Sequence, residues 1–260
     1  MEYNVSNIGL NGGIELKLTV LGNYGPYPKA GGACSGFLID SGSTKVVLDF
    51  GNGVLSRLQQ YIDIEEISAI ILSHLHSDHM SDVMILRYAA DIKLMRGEME
   101  KPIKIYAPAE PIEEFNRLKY KQALEVIAID PAEKLEIGDL QISFREMVHG
   151  YKNYAICIEK DSKKFVYSGD TSKNDGLVEF AKNADLFICE AGLLERDEKF
   201  IRVMHLTARE AAQIAEDAGV KRLLLTHFLP DVQIGKYVQE ATQVYNGILE
   251  IAGDNKSYFI

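Results

Sequence analysis

Ser73-His74-Leu75-His76-Ser77-Asp78-His79 gathers three of the chain's six histidines and one aspartate into six positions. Imidazole nitrogens with a carboxylate oxygen are the usual donors for Zn²⁺, and they also suit Mn²⁺ or Fe²⁺. His74 and His76 are two residues apart, so an extended backbone aims both rings to the same side. Asp78 and His79 follow where the chain turns towards a helix, which lets two neighbouring but distinct ligand sets form. The other histidines, His149, His205 and His227, stand at or just beyond the ends of predicted strands or beside a capped helix. None of the six lies inside a helix-period apolar stripe.

Strands and short helices must position these groups. Ile14, Leu16, Leu18 and Val20 alternate with polar residues, the spacing of a half-buried strand. Gly36 to Asp40 and Lys45 to Asp49 read as two strands joined by the turn Ser41-Gly42-Ser43-Thr44. A short helix is predicted from Val54 to Tyr61. The apolar run Ile67 to Leu72 reads as a buried strand that delivers the histidine cluster. Further strands are expected at Leu140 to Met147, Ala155 to Glu159, Phe165 to Asp170 and Asp185 to Glu190, with a helix near Leu177 to Ala184. Thr207-Ala208-Arg209-Glu210 has the pattern of a capping box, so a helix opens there and ends near Gly219. Lys221 to Thr226 forms a strand running into His227, and a last helix is expected over Tyr237 to Ile251. Two strand-rich halves, each with helices, point to an α/β fold, a four-layer αββα sandwich. With no linker, repeat or composition shift, residues 1–260 read as one domain.

The 260 residues carry a net charge of -10. A protein that grips a long nucleic acid usually shows a basic stripe, and no dense Lys/Arg block is present. The charge favours a small substrate whose few charges are met by metal ions. No apolar run suits a membrane span, and the N-terminus does not read as a secretory signal. Cys34, Cys157 and Cys189 are odd in number and widely spaced, so they are expected to be buried, reduced and inert. The expected compartment is the cytoplasm.

The segment Ser73 to His79 resembles the signature of the metallo-β-lactamase superfamily. The family's later marks follow in order: His149 after a strand, the Ser168-Gly169-Asp170-Thr171 turn, and the strand-terminal His227. The resemblance runs from about Leu16 to Pro230. It implies that His74, His76 and His149 hold one metal, that Asp78, His79 and His227 hold the other, and that Asp170 bridges them. Asp49, at the end of Val46-Val47-Leu48-Asp49-Phe50-Gly51, matches the carboxylate that orients a ligand histidine in this family. Two Zn²⁺ are the implied cofactors, with Mn²⁺ or Fe²⁺ as alternatives.

Cys189-Glu190-Ala191, Met204-His205-Leu206-Thr207-Ala208 and Leu225-Thr226-His227-Phe228 resemble the ribonuclease Z branch, although that branch usually has Ser where Leu206 stands. In it, an extra histidine held by a glutamate assists phosphodiester cleavage, and His205 and Glu190 match those positions. His205, Glu190 and Asp78 are therefore the expected catalytic residues. The tRNA-processing members carry a long arm, usually between the positions of His149 and Asp170. Here that interval is filled by two strand-like runs and a tight turn. The chain is instead similar to armless cyclic-nucleotide phosphodiesterases, including phage enzymes that destroy cyclic pyrimidine signals (the anti-Pycsar group). The resemblance implies hydrolysis of a 3′,5′-cyclic mononucleotide to a 5′-monophosphate by a hydroxide shared between two metals about 3.5–4 Å apart, and a homodimer. The alternatives are a ribonuclease Z-like endoribonuclease acting on tRNA 3′ ends, a lactonase or thioesterase, and a non-catalytic metal sensor. Tyr24, Tyr27, Tyr88 and Tyr151 lie near predicted site loops, and bases stack readily on aromatic faces, but for each one alone an ordinary core or surface role is the better account. The loop Gly22 to Pro28 is expected to cover the site or a partner subunit.

Overall fold

The apolar runs pair into two seven-stranded sheets, and the direction of their strands decides which edge carries the chemistry. The computed structural model describes residues 16–197 and 204–260. In the first half lie β1 (Lys17–Gly22), β2 (Gly36–Asp40), β3 (Lys45–Leu48), α1 (Val54–Leu58), β4 (Ala69–Ile71), α2 (Ser77–Met80), α3 (Val83–Met95), β5 (Ile103–Ala107), α4 (Ile112–Leu118) and β6 (Leu124–Ala128). The second half carries β7 (Leu135–Ile137), β8 (Leu140–Met147), β9 (Asn153–Lys160), β10 (Lys163–Tyr167), α5 (Asp175–Ala181), β11 (Leu186–Glu190), α6 (Ala208–Asp217), β12 (Arg222–Thr226), α7 (Ile234–Ala241), β13 (Ile248–Ile251) and β14 (Ser257–Phe259).

One sheet has the order β14-β1-β2-β3-β4-β5-β6, antiparallel as far as β3 and parallel beyond it. The other runs β13-β12-β11-β10-β9-β8-β7, parallel from β13 to β10 and antiparallel from there to β7. Leu18, Phe37 and Ile39 of the first sheet share one apolar core with Ile156, Phe165 and Ile188 of the second. Leu55, Leu86 and Phe115 pack α1, α3 and α4 on one outer face. Leu177, Ala212 and Tyr237 pack α5, α6 and α7 on the other. The result is the four-layer αββα sandwich, with each buried Leu, Ile or Phe side chain contributing roughly 1.5–3 kcal/mol.

Several elements differ from expectation. Ile14 lies outside the described residues, and β1 is buried on both faces, because Thr19 and Leu21 are covered as fully as Leu18. The first helix stops at Leu58, short of Tyr61. The final helix stops at Ala241, and Ile248–Ile251 is a strand paired in parallel with β12. Tyr237, Ala241, Val244, Ile248 and Ile251 keep helical spacing in the sequence, which explains the misreading. Asn246-Gly247 breaks the chain between them. The capping box at Thr207 is present, and Gly219 follows the end of α6 with φ +63°.

The strands β3, β4, β8, β10, β11 and β12 all carry site residues at or just beyond their C-terminal ends. β8 and β10 both run antiparallel to β9 and therefore share a direction. Ligand sites in α/β sheets form where the carboxyl ends of strands gather. At the opposite edge the Ser41–Thr44 turn meets the turn after β7, where Ser41 Oγ donates to Asp139 Oδ1 at 2.6 Å and Lys160 pairs with Asp139 at 3.3 Å.

Candidate metal centre

Nitrogen and carboxylate donors gather at the seam between the two sheets. His74 Nε2 lies 2.9 Å from His76 Nδ1, and His149 Nε2 lies 3.0 Å from the same atom. Asp170 Oδ2 is 3.7 Å from His74 Nε2. These four residues form one possible ligand set. In a second set, His79 Nε2 stands 3.5 Å from Asp78 Oδ2, 3.3 Å from Asp170 Oδ2 and 3.4 Å from His227 Nε2. His227 Nε2 is 3.3 Å from both Asp78 Oδ2 and Asp170 Oδ2. Asp170 belongs to both sets.

The tautomers follow from the partners on the far side of each ring. Asp49 is fully buried and accepts from Ser73 N at 2.7 Å, Ser73 Oγ at 2.9 Å, Tyr167 Oη at 2.7 Å and His79 Nδ1 at 2.7 Å. With Nδ1 committed to Asp49, the neutral His79 ring has its lone pair on Nε2. The Ser73 hydroxyl proton points to Asp49, so its oxygen accepts from His74 Nδ1 at 3.0 Å and bares His74 Nε2. His149 Nδ1 donates to the Met204 carbonyl at 3.0 Å, which bares His149 Nε2. Such partners orient metal-binding histidines.

This arrangement fits cations. His76 Nδ1 can donate at most one proton, to one of the two bare nitrogens about it, so at least one of these close N···N contacts has no hydrogen bond in it. The Asp170 Oδ1 atom is buried without a hydrogen-bond partner among the described residues. Asp49, Asp78, Asp170 and Glu190 are all sequestered, and their ion-pair partners among the described residues are histidines alone. Buried carboxylates without compensation are costly; His205 answers Glu190, and cations in the donor sets would offset the others. Donors about 2.0–2.1 Å from one zinc in a tetrahedron stand roughly 3.4 Å apart, which is the spacing of the second set.

Protonation separates the histidines by role. Burial, reinforced by His149, pushes His76 down to about 4. Burial and the positive neighbour His79 hold His74 well below the ordinary histidine value. Both therefore present neutral, ligand-competent rings. His79 differs: burial favours its neutral ring, but Asp170, Asp78 and Asp49 outweigh that, an attraction a cation would satisfy equally. His205 is also pushed down by burial, yet Glu190 overrides this and raises it to about 9. Its Nδ1 lies 2.9 Å from Glu190 Oε1. Glu190 in turn accepts from Thr171 N at 2.8 Å and Gly192 N at 3.0 Å, so the carboxylate is held from three sides. The His205 ring stacks on His227 with centroids 5.0 Å apart.

Every residue singled out for the site thus lies in one constellation: His74, His76, Asp78, His79, His149, Asp170, His227, Asp49, His205 and Glu190. A hollow of about 150 Å³ opens beside His205 and His227, walled by Gly25, Pro26, Gly192, Leu193 and Leu229. Two larger hollows hold none of the site residues: one of about 870 Å³ along the starts of β4 and β5, and one of about 740 Å³ between the end of α3 and the start of β6. The donor chemistry makes the smaller one the relevant space. Of the tyrosines, Tyr151 packs on His76 at 4.3 Å, Tyr27 bonds Asp231, Tyr88 packs on Tyr120, and Tyr24 is buried. Tyr167 and Gly25 were not singled out; Tyr167 reads as a core aromatic, and Gly25 gains its meaning only from the contact described below. The three cysteines are buried and free, with burial pushing the Cys34 thiol up to about 12 and Cys157 up to about 11.

Residues 37–228 match the family described as a beta-lactamase superfamily domain. The chain belongs to the beta-lactamase superfamily. It is 37% identical over 246 residues to the probable metallo-hydrolase YhfI of Bacillus subtilis, covering 94% of this chain and 99% of that one. The crystal structure of YhfI superposes with a TM-score of 0.90 at 35% identity, over 94% of this chain and 99% of that one. Ribonuclease Z of Methanopyrus kandleri is 28% identical over 266 residues, covering 89% of this chain and 93% of that one. Human tRNase Z, short form, shares the fold with a TM-score of 0.74 at 22% identity, over 94% and 99% of the two chains. As a superfamily member with two His/Asp clusters able to hold metal, the chain is a metallo-hydrolase. No helix among the described residues is long and apolar enough to cross a membrane.

Proposed function

We propose that the chain is a two-zinc phosphodiesterase that opens 3′,5′-cyclic mononucleotides, cyclic pyrimidine nucleotides among them, to 5′-monophosphates. The observation that carries this reading is the His205–Glu190 pair, set beside two ligand sets that share Asp170. His74, His76, His149 and Asp170 would hold one ion, and Asp78, His79, Asp170 and His227 the other. Cations bound there supply charge neutralisation at a phosphoryl group and acidification of water. Glu190 fixes His205 through Nδ1 and keeps the ring charged, so its Nε2 is the proton donor for a departing alkoxide. Such general-acid help is typically worth about 10²–10⁴-fold. The small hollow beside His205 and His227, bounded by Pro26, Leu193 and Leu229, suits an uncharged ring of a small substrate better than a polynucleotide strand.

A ribonuclease Z-like activity on RNA ends is the second reading, favoured by the similarity to the M. kandleri enzyme. Against it, only β9, a tight turn and β10 occupy the interval between His149 and the Ser168 turn, and the chain carries a net charge of -10. The deciding experiment assays Zn²⁺- or Mn²⁺-reconstituted protein on a panel of cyclic mononucleotides, a precursor tRNA and bis-p-nitrophenyl phosphate. Conversion of one cyclic nucleotide to its 5′-monophosphate is expected. His205→Ala should lower that turnover about 10²–10⁴-fold while both metals stay bound. Cleavage of the precursor tRNA alone would replace the first reading with the second.

A further inference from the structure

Metal-binding histidines are ordinarily oriented by a hydrogen bond from the second ring nitrogen. His227 departs from this. Its Nδ1 is buried and has no hydrogen-bond partner among the described residues. Its backbone sits at φ +64°, in the left-handed region that few non-glycine residues adopt. Its hydrogen-bonding contacts among the described residues, to Asp78 and His79, lie on the Nε2 side, so none orients the ring through Nδ1.

The contact at its donor end supplies the answer. A methyl group built on Gly25 would lie 2.0 Å from His227 Nε2, 2.3 Å from Cε1 and 2.4 Å from Cδ2. The Gly25 backbone therefore lies directly against the end of the ring that bears the donor atom. That backbone is strapped in place. Phe228 N donates to Asn23 O at 2.9 Å, Gly25 N donates to Phe228 O at 3.2 Å, and Asn23 Nδ2 donates to Ala252 O at 2.5 Å. Farther along the loop, Arg57 donates to Gly31 O at 2.6 Å while also gripping Leu21 O and Asp254. On another side the ring meets His205, and a methyl on Gly192 would stand 3.3 Å from His227 Nδ1.

We infer that Gly25 is a positioning residue for His227, a backbone wall that takes the place of the missing hydrogen bond and aims Nε2 at the second ligand set. The inference rests on the reading of His227 as a metal ligand. Only glycine serves at this position, since any side chain must displace either the ring or the strapped loop.

The test is Zn²⁺ affinity, measured by competition with a chromogenic chelator on the full chain, beside thermal unfolding of the metal-free protein. Gly25→Ala should weaken one of two zinc ions by about 10–100-fold, the range for loss of a ligand's orienting partner. The other ion and the metal-free melting temperature should stay as in the wild type. Gly235→Ala, where a methyl meets nothing within 4 Å, is the control: both zinc affinities should stay as in the wild type, and the melting temperature should hold or rise, because the residue lies in α7. In a His227→Ala background, adding Gly25→Ala should have no further effect, because the ring it displaces is gone. Two wild-type affinities in Gly25→Ala would mean that the loop yields, and would overturn the inference. So would equal weakening of both ions with a lowered melting temperature, or an undiminished Gly25→Ala effect without the His227 ring. If His227→Ala alone retained both zinc ions at full affinity, the ligand reading itself would fail.

Discussion

His79 and His227 face one another across 3.4 Å, yet they are held by opposite means. His79 comes from the first sheet and is wired: Asp49 takes its Nδ1 proton and gathers Ser73 and Tyr167 into the same network. His227 comes from the second sheet and is wedged between glycine backbone and the His205 ring. The wired side depends on charge and proton positions. The wedged side depends on the absence of side-chain atoms. The two halves of the centre should therefore fail differently when perturbed.

Asp49→Asn attacks the wired side and should have the larger effect on metal. An amide cannot serve all four of Asp49's donors, so His79 and, through Ser73, His74 lose their fixed tautomers. Zinc affinity should fall about 10–100-fold, and since His79 and His74 belong to different sets, both ions should weaken. Chelator competition reads this directly; weakening of a single ion would show that the wiring does not reach His74.

The second sheet has a wire too, but it ends on His205. Glu190→Gln should leave both zinc affinities nearly unchanged and alter the pH profile instead. His205 is raised to about 9, so the acid form that donates is present below that pH and lost above it. Without the carboxylate, the alkaline limb of kcat should move down towards the ordinary histidine value of about 6.5. An unmoved limb would detach it from His205.

The far edge of the molecule gives the smallest effect. Burial raises the Asp139 carboxyl, but the Ser41, Thr44 and Lys160 contacts outweigh it and lower the group to about 2. The folded value lies below the ordinary carboxylate value, so this stabilisation is present above about pH 4 and is lost as pH falls through about 2. The carboxylate is 36% exposed and thus screened, which limits it to well under about 1 kcal/mol. Wild type and Asp139→Asn should differ slightly in urea midpoint at pH 6 and converge near pH 2. A gap that persists in acid would assign the difference to packing.

The wired side was readable from residue types, because His74 to His79 are crowded together and Asp49 closes a strand just before them. The wedge was not, because Gly25 is one glycine among 21 until the fold lays it on His227. Tyr167 was hidden for a similar reason: within a strand its ring reads as core, and only the sheet-to-sheet packing brings its hydroxyl to Asp49. The long helix α3 escaped notice because its period is blurred. Val83, Leu86 and Ala90 face inwards, but Ile85, Tyr88, Ile92 and Met95 leave an apolar row on the exposed face as well. The second-half strands stood out because each is a short apolar run closed by a turn. The final helix was overextended because apolar spacing alone does not register a chain break at Gly247.

Each ligand set draws donors from both sheets: His74 and His76 with His149 and Asp170, and Asp78 and His79 with Asp170 and His227. An ion in either set would consequently be a clasp across the seam, added to the shared apolar core and to polar ties such as Tyr167–Asp49 and Ser41–Asp139. A ligand that binds only the folded chain adds to its stability by mass action, about 2.7 kcal/mol at a hundredfold excess over Kd. The persistence of the sandwich and the supply of cations are therefore expected to be one coupled quantity, so that stripping metal from the chain should loosen the fold along with the chemistry.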